Sequence, residues 1–318
     1  MLVSTLLFMN SKNKNLNSES LKSRVHRYVT DDLTVRVAAV DATAVVQEMQ
    51  RIQASMPLAT LGVGRAMVGS LLMSSQLKEG QEVGLLFKGN GPLKSIYAES
   101  SFSGHVRGYC PHPQYQAPQP EDGLNLSKAM GSGTLSVARH QPYQRQPHQG
   151  LVNMVSGEIG EDIAHYLQQS HQIRSLVSLG VYLDLNGGVL AAGGVLVEVM
   201  PGVEDSVVEA LYQNYEKHQV NVSKRLAEGE NVTDLVGLFL EGIPFTELDH
   251  PYQIQYFCPC TEERVLAALT TLGVSELEEM IQEQAPAKIT CQICGRPYEI
   301  SIEKLDLLKE SLRKNSMH

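Results

Sequence analysis

Four cysteines in two tight pairs, Cys258-Pro259-Cys260 and Cys291-Gln292-Ile293-Cys294, fall within the last 61 residues of the chain, while the preceding 257 residues contain one, Cys110. In a chain without a secretory leader, close cysteine pairs more often bind metal or do redox chemistry than form structural disulfides. Four soft thiolates suit a tetrahedral zinc ion, with sulfurs at ~2.3 Å and no position left open for substrate. Cys258, Cys260, Cys291 and Cys294 are therefore the expected ligands of one zinc ion that is structural and redox-linked. An iron–sulfur cluster uses the same donors and is the alternative. Inert buried thiols do not account for the pairing. Gly295 follows the second pair, where a glycine can take φ > 0 behind the metal. The Cys-x-Cys arm is a tighter chelate than this knuckle, and Pro259 stiffens it further.

A metal here does more than decorate. Structural zinc supplies ~10–16 kcal/mol in small zinc peptides, whereas a core of ~60 residues rarely supplies more than ~3–5 kcal/mol. Metal loss should unfold the carboxy-terminal unit. Metal-bound thiolates are already deprotonated and open to an oxidant, and each cysteine has a possible disulfide partner one or three positions away. Two-electron oxidation of each pair would eject the ion and deprive the segment packed beside it of a neighbour.

Charge narrows the partners. The formal net charge is -9 with 6% aromatic residues, which supplies neither the basic footprint nor the stacking platforms of a nucleic-acid binder. Around the cysteines, residues 258–318 carry ten acidic and seven basic side chains, again unsuited to phosphate. The other reading, a zinc-ribbon nucleic-acid- or ribosome-associated binding protein, is favoured only by the metal unit, and ribbons normally use two Cys-x-x-Cys arms. No run approaches ~18 consecutive apolar residues, so no membrane partner is expected. The opening MLVSTLLFM lacks a preceding basic region and is shorter than a signal core. Residues 1–27 instead read as a disordered basic extension of net charge +4, or as the product of an upstream start with Met9 as the true one.

Hydrophobic periodicity divides the rest. Residues 28–200 read as an α+β domain of antiparallel strands and helix blocks. A strand alternates through Leu33, Val35 and Val37, and helices are expected over 42–54 and 58–77, the second starting at Pro57. Gly62, Gly64, Gly69 and Ser70 predict a close approach by another element. Strands follow at 83–87, 93–99 and 105–109. Residues 110–150 read as a long loop around one strand at 134–138. A strand is expected at 152–155, a helix at 159–169, and strands at 175–183 and 189–199 joined by an Asn186-Gly187 hairpin turn. Residues 201–257, net charge -7, carry short helical stripes through Val207, Val208, Leu211, Tyr212 and Tyr215, then Val232, Leu235, Val236 and Phe239. Such a linker makes no core alone and must lie on a neighbour. Residues 258–318 form the zinc-binding unit, with helices at 263–272, 275–283 and 302–313.

Several runs together resemble the redox-regulated holdase chaperones of the heat-shock protein 33 family, also called the 33 kDa chaperonin family. They are Phe257-Cys258-Pro259-Cys260 with Glu263-Arg264-Val265, and Ile289-Thr290-Cys291-Gln292-Ile293-Cys294 with Tyr298. Upstream they are Val106-Arg107-Gly108-Tyr109, Ser156-Gly157-Glu158-Ile159 with Glu161-Asp162, Ser178-Leu179-Gly180-Val181, and Ala191-Ala192-Gly193-Gly194 before Met200-Pro201-Gly202. The resemblance spans about 30 to 314. It implies a chaperone domain, a helical stress-sensing linker and a zinc-binding redox switch, inactive when reduced and zinc-bound. Oxidation would release zinc, unfold the switch and linker, and expose a surface that captures unfolding client proteins without ATP. It further implies disulfides Cys258–Cys260 and Cys291–Cys294, a homodimeric oxidised form, a cytoplasmic location and no enzymatic activity. Two departures, His171 in place of an acidic residue and the basic extension, leave the cysteines untouched.

Other motifs carry less. Cys110 with nearby His112 evokes a nucleophile, but sequence proximity supplies neither a held base nor an orienting group, so it reads as an incidental thiol. Cys291 and Cys294 lack the βαβ context of a thiol oxidoreductase. Gly62-x-Gly64 has Met67 where a dinucleotide fingerprint needs its third glycine, and no Gly-Lys-Ser/Thr triplet exists. The Asn-x-Ser/Thr triplets at Asn125, Asn221 and Asn231 and the scattered histidines read as incidental.

Overall fold

The computed structural model describes residues 24–117, 124–144, 146–218, 220–248 and 252–315. The expected extension at 1–27 lies outside the described residues except for its last four, which are not an extension. They begin strand β1 (Arg24–Thr30), paired antiparallel with β2 (Val35–Asp41). Leu33, expected in the strand, sits instead in the turn at φ 59. Asp32 closes that turn by accepting from Thr30 Oγ1 at 2.6 Å and Thr34 N at 3.1 Å, so the alternation begins at Val35.

Helices α1 (Thr43–Gln53) and α2 (Pro57–Ser74) follow where the periodicity places them, with Pro57 in the first turn of α2. All of α2 except Pro57 and Arg65 is buried. It lies between two sheets, and its small residues allow this. A Cβ at Gly64 would meet Val181 at 2.8 Å and Val46 at 2.9 Å, and one at Gly69 would meet Ile163 at 2.5 Å. Arg65 escapes the core to pair with Glu158 at 2.5 Å.

On one side of α2 stand β3 (Glu82–Gly89), β4 (Ser95–Ser101), β5 (His105–Tyr109), β6 (Gly133–His140) and β7 (His148–Asn153). The segment read as a long loop therefore also holds α3 (Leu126–Met130), capped by Asn125, and the start of β7, which begins four residues before the strand expected at 152–155 and shares Val152 and Asn153 with it. Both are too short, or too polar on the outer face, to show a period. On the other side, α4 (Ile159–His171) leads into β8 (Arg174–Leu183) and β9 (Val189–Val199), joined by the expected turn with Gly187 at φ 83.

β9 is buried on both faces. Leu196 and Ala192 join Val40, Met67 and Leu85 in the main core, while Val195, Val197 and Val199 face the opposite way with Tyr28, Val35 and Val37. That second face is covered by the linker helices α5 (Asp205–His218), α6 (Val222–Glu228) and α7 (Val232–Phe239), through Leu211, Val222, Leu235, Val236 and Phe239. The expected apolar stripes thus lie on a neighbour, except that Tyr212 and Tyr215 of the first stripe stay exposed. Gly180 makes room for α6, since a Cβ there would overlap the Ser223 side chain and approach its backbone N at 3.0 Å. Polar ties add to the seat: Tyr28 Oη and Thr233 Oγ1 are 2.8 Å apart, and Asn214 Nδ2 donates to Glu241 O at 2.9 Å.

The linker is not purely helical. β10 (Phe245–Glu247) and β11 (Tyr252–Gln253) pair with β1, and β12 (Gln255–Tyr256) pairs with β5, giving sheet orders β10-β1-β2-β9-β8 and β12-β5-β4-β3-β6-β7. Two- and three-residue strands carry no readable alternation. The last unit holds α8 (Glu262–Leu269), α9 (Val274–Gln282), a hairpin of β13 (Ala287–Thr290) and β14 (Pro297–Ile300), and α10 (Ile302–Asn315). The hairpin adds to the three expected helices. Its own core is small, with Leu269, Leu277, Ile300 and Leu305 buried. No helix of the described residues is long and apolar enough to cross a membrane.

Candidate metal centre

The first cysteine pair is delivered by a strand. β12 runs parallel to β5, with Gln255 N donating to Gly104 O at 2.9 Å and Phe257 N to Val106 O at 3.0 Å. The chain leaves the sheet edge at Phe257, whose ring lies 4.3 Å from that of His105, and Cys258 follows immediately, buried. Beyond Cys260, Thr261 caps α8 by accepting from Arg264 N at 3.3 Å, with Glu262 and Glu263 in the first turn.

The second pair sits in the β13–β14 turn. Cys291 N donates to Arg296 O at 2.9 Å and Gly295 N to Cys291 O at 2.8 Å. Gly295 has φ 70, the left-handed conformation that the Cys-x-x-Cys-Gly spacing predicts. This turn leans on the large domain. Tyr256 Oη donates to Ile293 O at 2.6 Å, and Gln53 Nε2 at the end of α1 donates to Gly108 O at 2.7 Å and approaches Ile293 O at 3.5 Å.

The fold brings the four sulfurs within 4.8 Å of one another. Cys258 and Cys291 Sγ are 3.9 Å apart, Cys260 and Cys294 Sγ are 3.2 Å apart, and all four are free thiols. A tetrahedron with bonds of ~2.3 Å to sulfur has edges of about 3.8 Å, so the cluster has the dimensions of a single four-thiolate metal site. Four cysteines this close can hold a metal ion.

Surrounding groups act unequally on the sulfurs. Burial raises the Cys258 thiol, opposed by backbone hydrogen bonding at Cys260 and by Arg107 Nη1, which donates to Cys258 Sγ at 3.8 Å. At Cys260 burial also works upward, but the Tyr298 hydroxyl, donating to Sγ at 3.1 Å, and the neighbouring thiols bring it down to about 7. Burial and the adjacent sulfurs push Cys294 up to about 12. Tyr256 and Gln53 carried no signal as site residues in the sequence. Arg107 and Tyr298 stood in runs that carry the family resemblance, but nothing there attached them to the cysteines.

Cys110 lies apart from the cluster. It is fully buried in the main core, its Sγ directed at Leu93 O at 3.7 Å, and burial raises its thiol. Cys110→Ser is expected to leave metal content and any oxidative response unchanged, as checked by metal analysis and thiol titration before and after peroxide. A lost response would assign Cys110 to the centre.

Comparison with known proteins agrees with this geometry. Residues 23–301 match the family described as Hsp33 protein. A 33 kDa chaperonin of Synechococcus elongatus is 36% identical over 281 residues, covering 87% of this chain and 94% of its own. One of Geobacter sulfurreducens is 34% identical over 287 residues, covering 90% and 94%. The crystal structure of the 33 kDa chaperonin (heat shock protein 33 homolog) of Thermotoga maritima superposes with a TM-score of 0.79 at 31% identity, covering 92% of this chain and 99% of that one. With the α+β architecture, the cysteine cluster and the sequence match extending over most of its length, the chain belongs to the Hsp33 family.

Proposed function

We propose that the protein is a redox-regulated, ATP-independent holdase chaperone whose clients are unfolding proteins. The observation that carries this reading is the continuity between cover and sensor. The segment that hides the apolar face of the first sheet, α5 to α7, runs directly through β10–β12 into Cys258. In the reduced form Cys258, Cys260, Cys291 and Cys294 hold one zinc ion, which supplies the cross-link that the small core around Leu277 and Leu305 lacks. The chain's own residues do the rest. Tyr256 and Gln53 seat the second arm on the large domain, and Tyr298 and Arg107 donate to sulfurs.

Oxidation to disulfides Cys258–Cys260 and Cys291–Cys294 removes the thiolate donors, releases the ion and loosens residues 258–318. Two close sulfur contacts, Cys258–Cys291 and Cys260–Cys294, run across the two arms, and the pairing within arms follows the family resemblance. The linker, 201–257, then leaves Tyr28, Val195 and Val197, and the exposed face of the domain at 28–200 takes up client segments. Pairing of two such faces makes the oxidised form a homodimer. The place of action is the reducing cytoplasm, where thiols persist until oxidative stress. No step requires a catalytic residue.

The decisive assay follows light scattering of a heat-denatured client with reduced, zinc-loaded protein and with peroxide-treated protein, while a chromophore reports free zinc. Suppression of aggregation by the oxidised form alone, with one zinc released per chain, is the expected result. Equal suppression by both forms, or oxidation without zinc release, would overturn the switch. Non-reducing digestion with mass spectrometry checks the disulfide pairing.

A further inference from the structure

Arg107 of β5 stands directly opposite Glu99 of β4, with side chains 17% and 14% exposed. Its guanidinium reaches in two directions. Nη2 donates to Glu99 Oε2 at 2.8 Å, Nη1 donates to Cys258 Sγ at 3.8 Å, and Nε is buried without an acceptor. One cation therefore bridges a carboxylate of its own sheet and a sulfur carried in by the docked arm. Among the described residues it is the one side-chain donor that this sheet directs at a cluster sulfur. A cleft lined by Glu99, His105, Arg107, Phe257, Pro259 and Arg264 opens between sheet and arm beside Arg107.

Docking of the arm does not depend on this contact. Backbone bonds from Gln255 and Phe257 to β5, the His105–Phe257 ring contact and the Tyr256–Ile293 bond already fix the register. What a fixed N–H donor changes is the sulfur itself. It draws charge from the thiolate, and nucleophilicity falls with basicity. Resting on the reading of the four cysteines as a redox centre, we propose that Arg107 sets the rate at which Cys258 is oxidised. While the arm is docked, the guanidinium holds the Cys258 thiolate in a weakly nucleophilic state, and release of β12 from β5 withdraws that restraint. Mechanical release of the arm and chemical reactivity of Cys258 are thereby coupled through one residue.

The reaction concerned is oxidation by a hydroperoxide. The Cys258 thiolate attacks one peroxide oxygen, the S–O bond forms as the O–O bond breaks, and hydroxide leaves. A second cluster thiolate attacks the sulfenic sulfur, the S–S bond forms, and a second hydroxide departs. Two thiolates give up two electrons and one peroxide is reduced.

The test mixes full-length, reduced, zinc-loaded protein with hydrogen peroxide and follows each cysteine by alkylation quench and peptide mass spectrometry. Arg107→Gln should accelerate Cys258 about threefold for each unit of basicity regained, while Cys294 changes little. Because that variant leaves Glu99 buried without its cation, the double variant Glu99→Gln/Arg107→Met, which removes both charges, should show the same acceleration. Arg107→Lys, which keeps a charge near the sulfur, should restore most of the protection. In the double variant, amide exchange at Gln255 and Phe257 should stay as in the unaltered protein. An unchanged Cys258 rate, or equal acceleration at all four cysteines with lost protection of those amides, overturns the role of Arg107. A starting protein that loses no thiol to peroxide would instead overturn the redox reading, and this inference with it.

Discussion

Cys291→Ser is expected to leave residues 258–315 without a cooperative fold while the two large sheets melt as before. The unit buries four aliphatic side chains fully, at about 1.5–3 kcal/mol each, against the ordering of two short helices, a hairpin and α10. Its ion pairs are surface ones such as Lys304–Glu262 and Arg313–Glu278, which contribute about 0–1 kcal/mol each. A four-thiolate metal site supplies ~10–16 kcal/mol in small zinc peptides, so its loss decides the outcome. Hydrogen exchange should show the amides of β13, β14 and α9 exchanging at rates close to those of an unfolded chain, with those of α2 and β9 still protected. Chelation of the reduced protein should reproduce that pattern. A folded, metal-replete unit in the serine variant would remove Cys291 from the ligand set.

Phe239→Ala is expected to unseat the linker without touching the cysteines. Phe239 is fully buried between α7 and the first sheet, with its ring 5.8 Å from that of Tyr215. Truncating a buried phenylalanine costs about 3–5 kcal/mol, a large fraction of the ~5–15 kcal/mol that holds a domain folded. The loss falls on short helices joined by turns and not on the sheet beneath, because Tyr28, Val195 and Val197 keep their strand pairing whether or not α7 covers them. The reduced variant should therefore suppress client aggregation with its metal still bound, and α5 to α7 should lose exchange protection together. Reduced protein that stays silent despite an exposed sheet face would show that this face does not capture clients.

These effects also explain what was readable in the chain. The stripes at Val232, Leu235, Val236 and Phe239 announce a helix that needs a surface, but nothing in them says which surface. That was settled by β9, whose continuous run from Val189 to Val199 has two buried faces and thus two partners. Gly180 is a similar case: in sequence it is a small residue in a strand, and in space it is the clearance for Ser223 of α6. β10, β11 and β12 escaped notice because a two- or three-residue strand has no period, and its existence depends on an edge being available. β1 went unread for another reason: Arg24, His26 and Arg27 gave it the composition of the basic segment before it, and only pairing with β2 separates the two.

The sequence by itself determined the four-cysteine set, the glycine behind the knuckle, the two central helices with their small residues, the β8–β9 hairpin and the separation of an acidic helical segment from a small terminal unit. Each follows from local chemistry: metal-ligand spacing, φ > 0, a 3.6- or 2-residue period, or a shift in charge. Only the tertiary structure decided that Cys258 enters the cluster from a strand on the edge of β5, that Gln53 and Tyr256 hold the opposite arm, and that Arg107 and Glu99 stand beside the sulfur. Apart from the Arg107–Glu99 pair, 8 positions apart on neighbouring strands, those contacts join residues between 37 and 240 positions apart. Their partners are chosen by sheet order and helix packing, which no local pattern encodes.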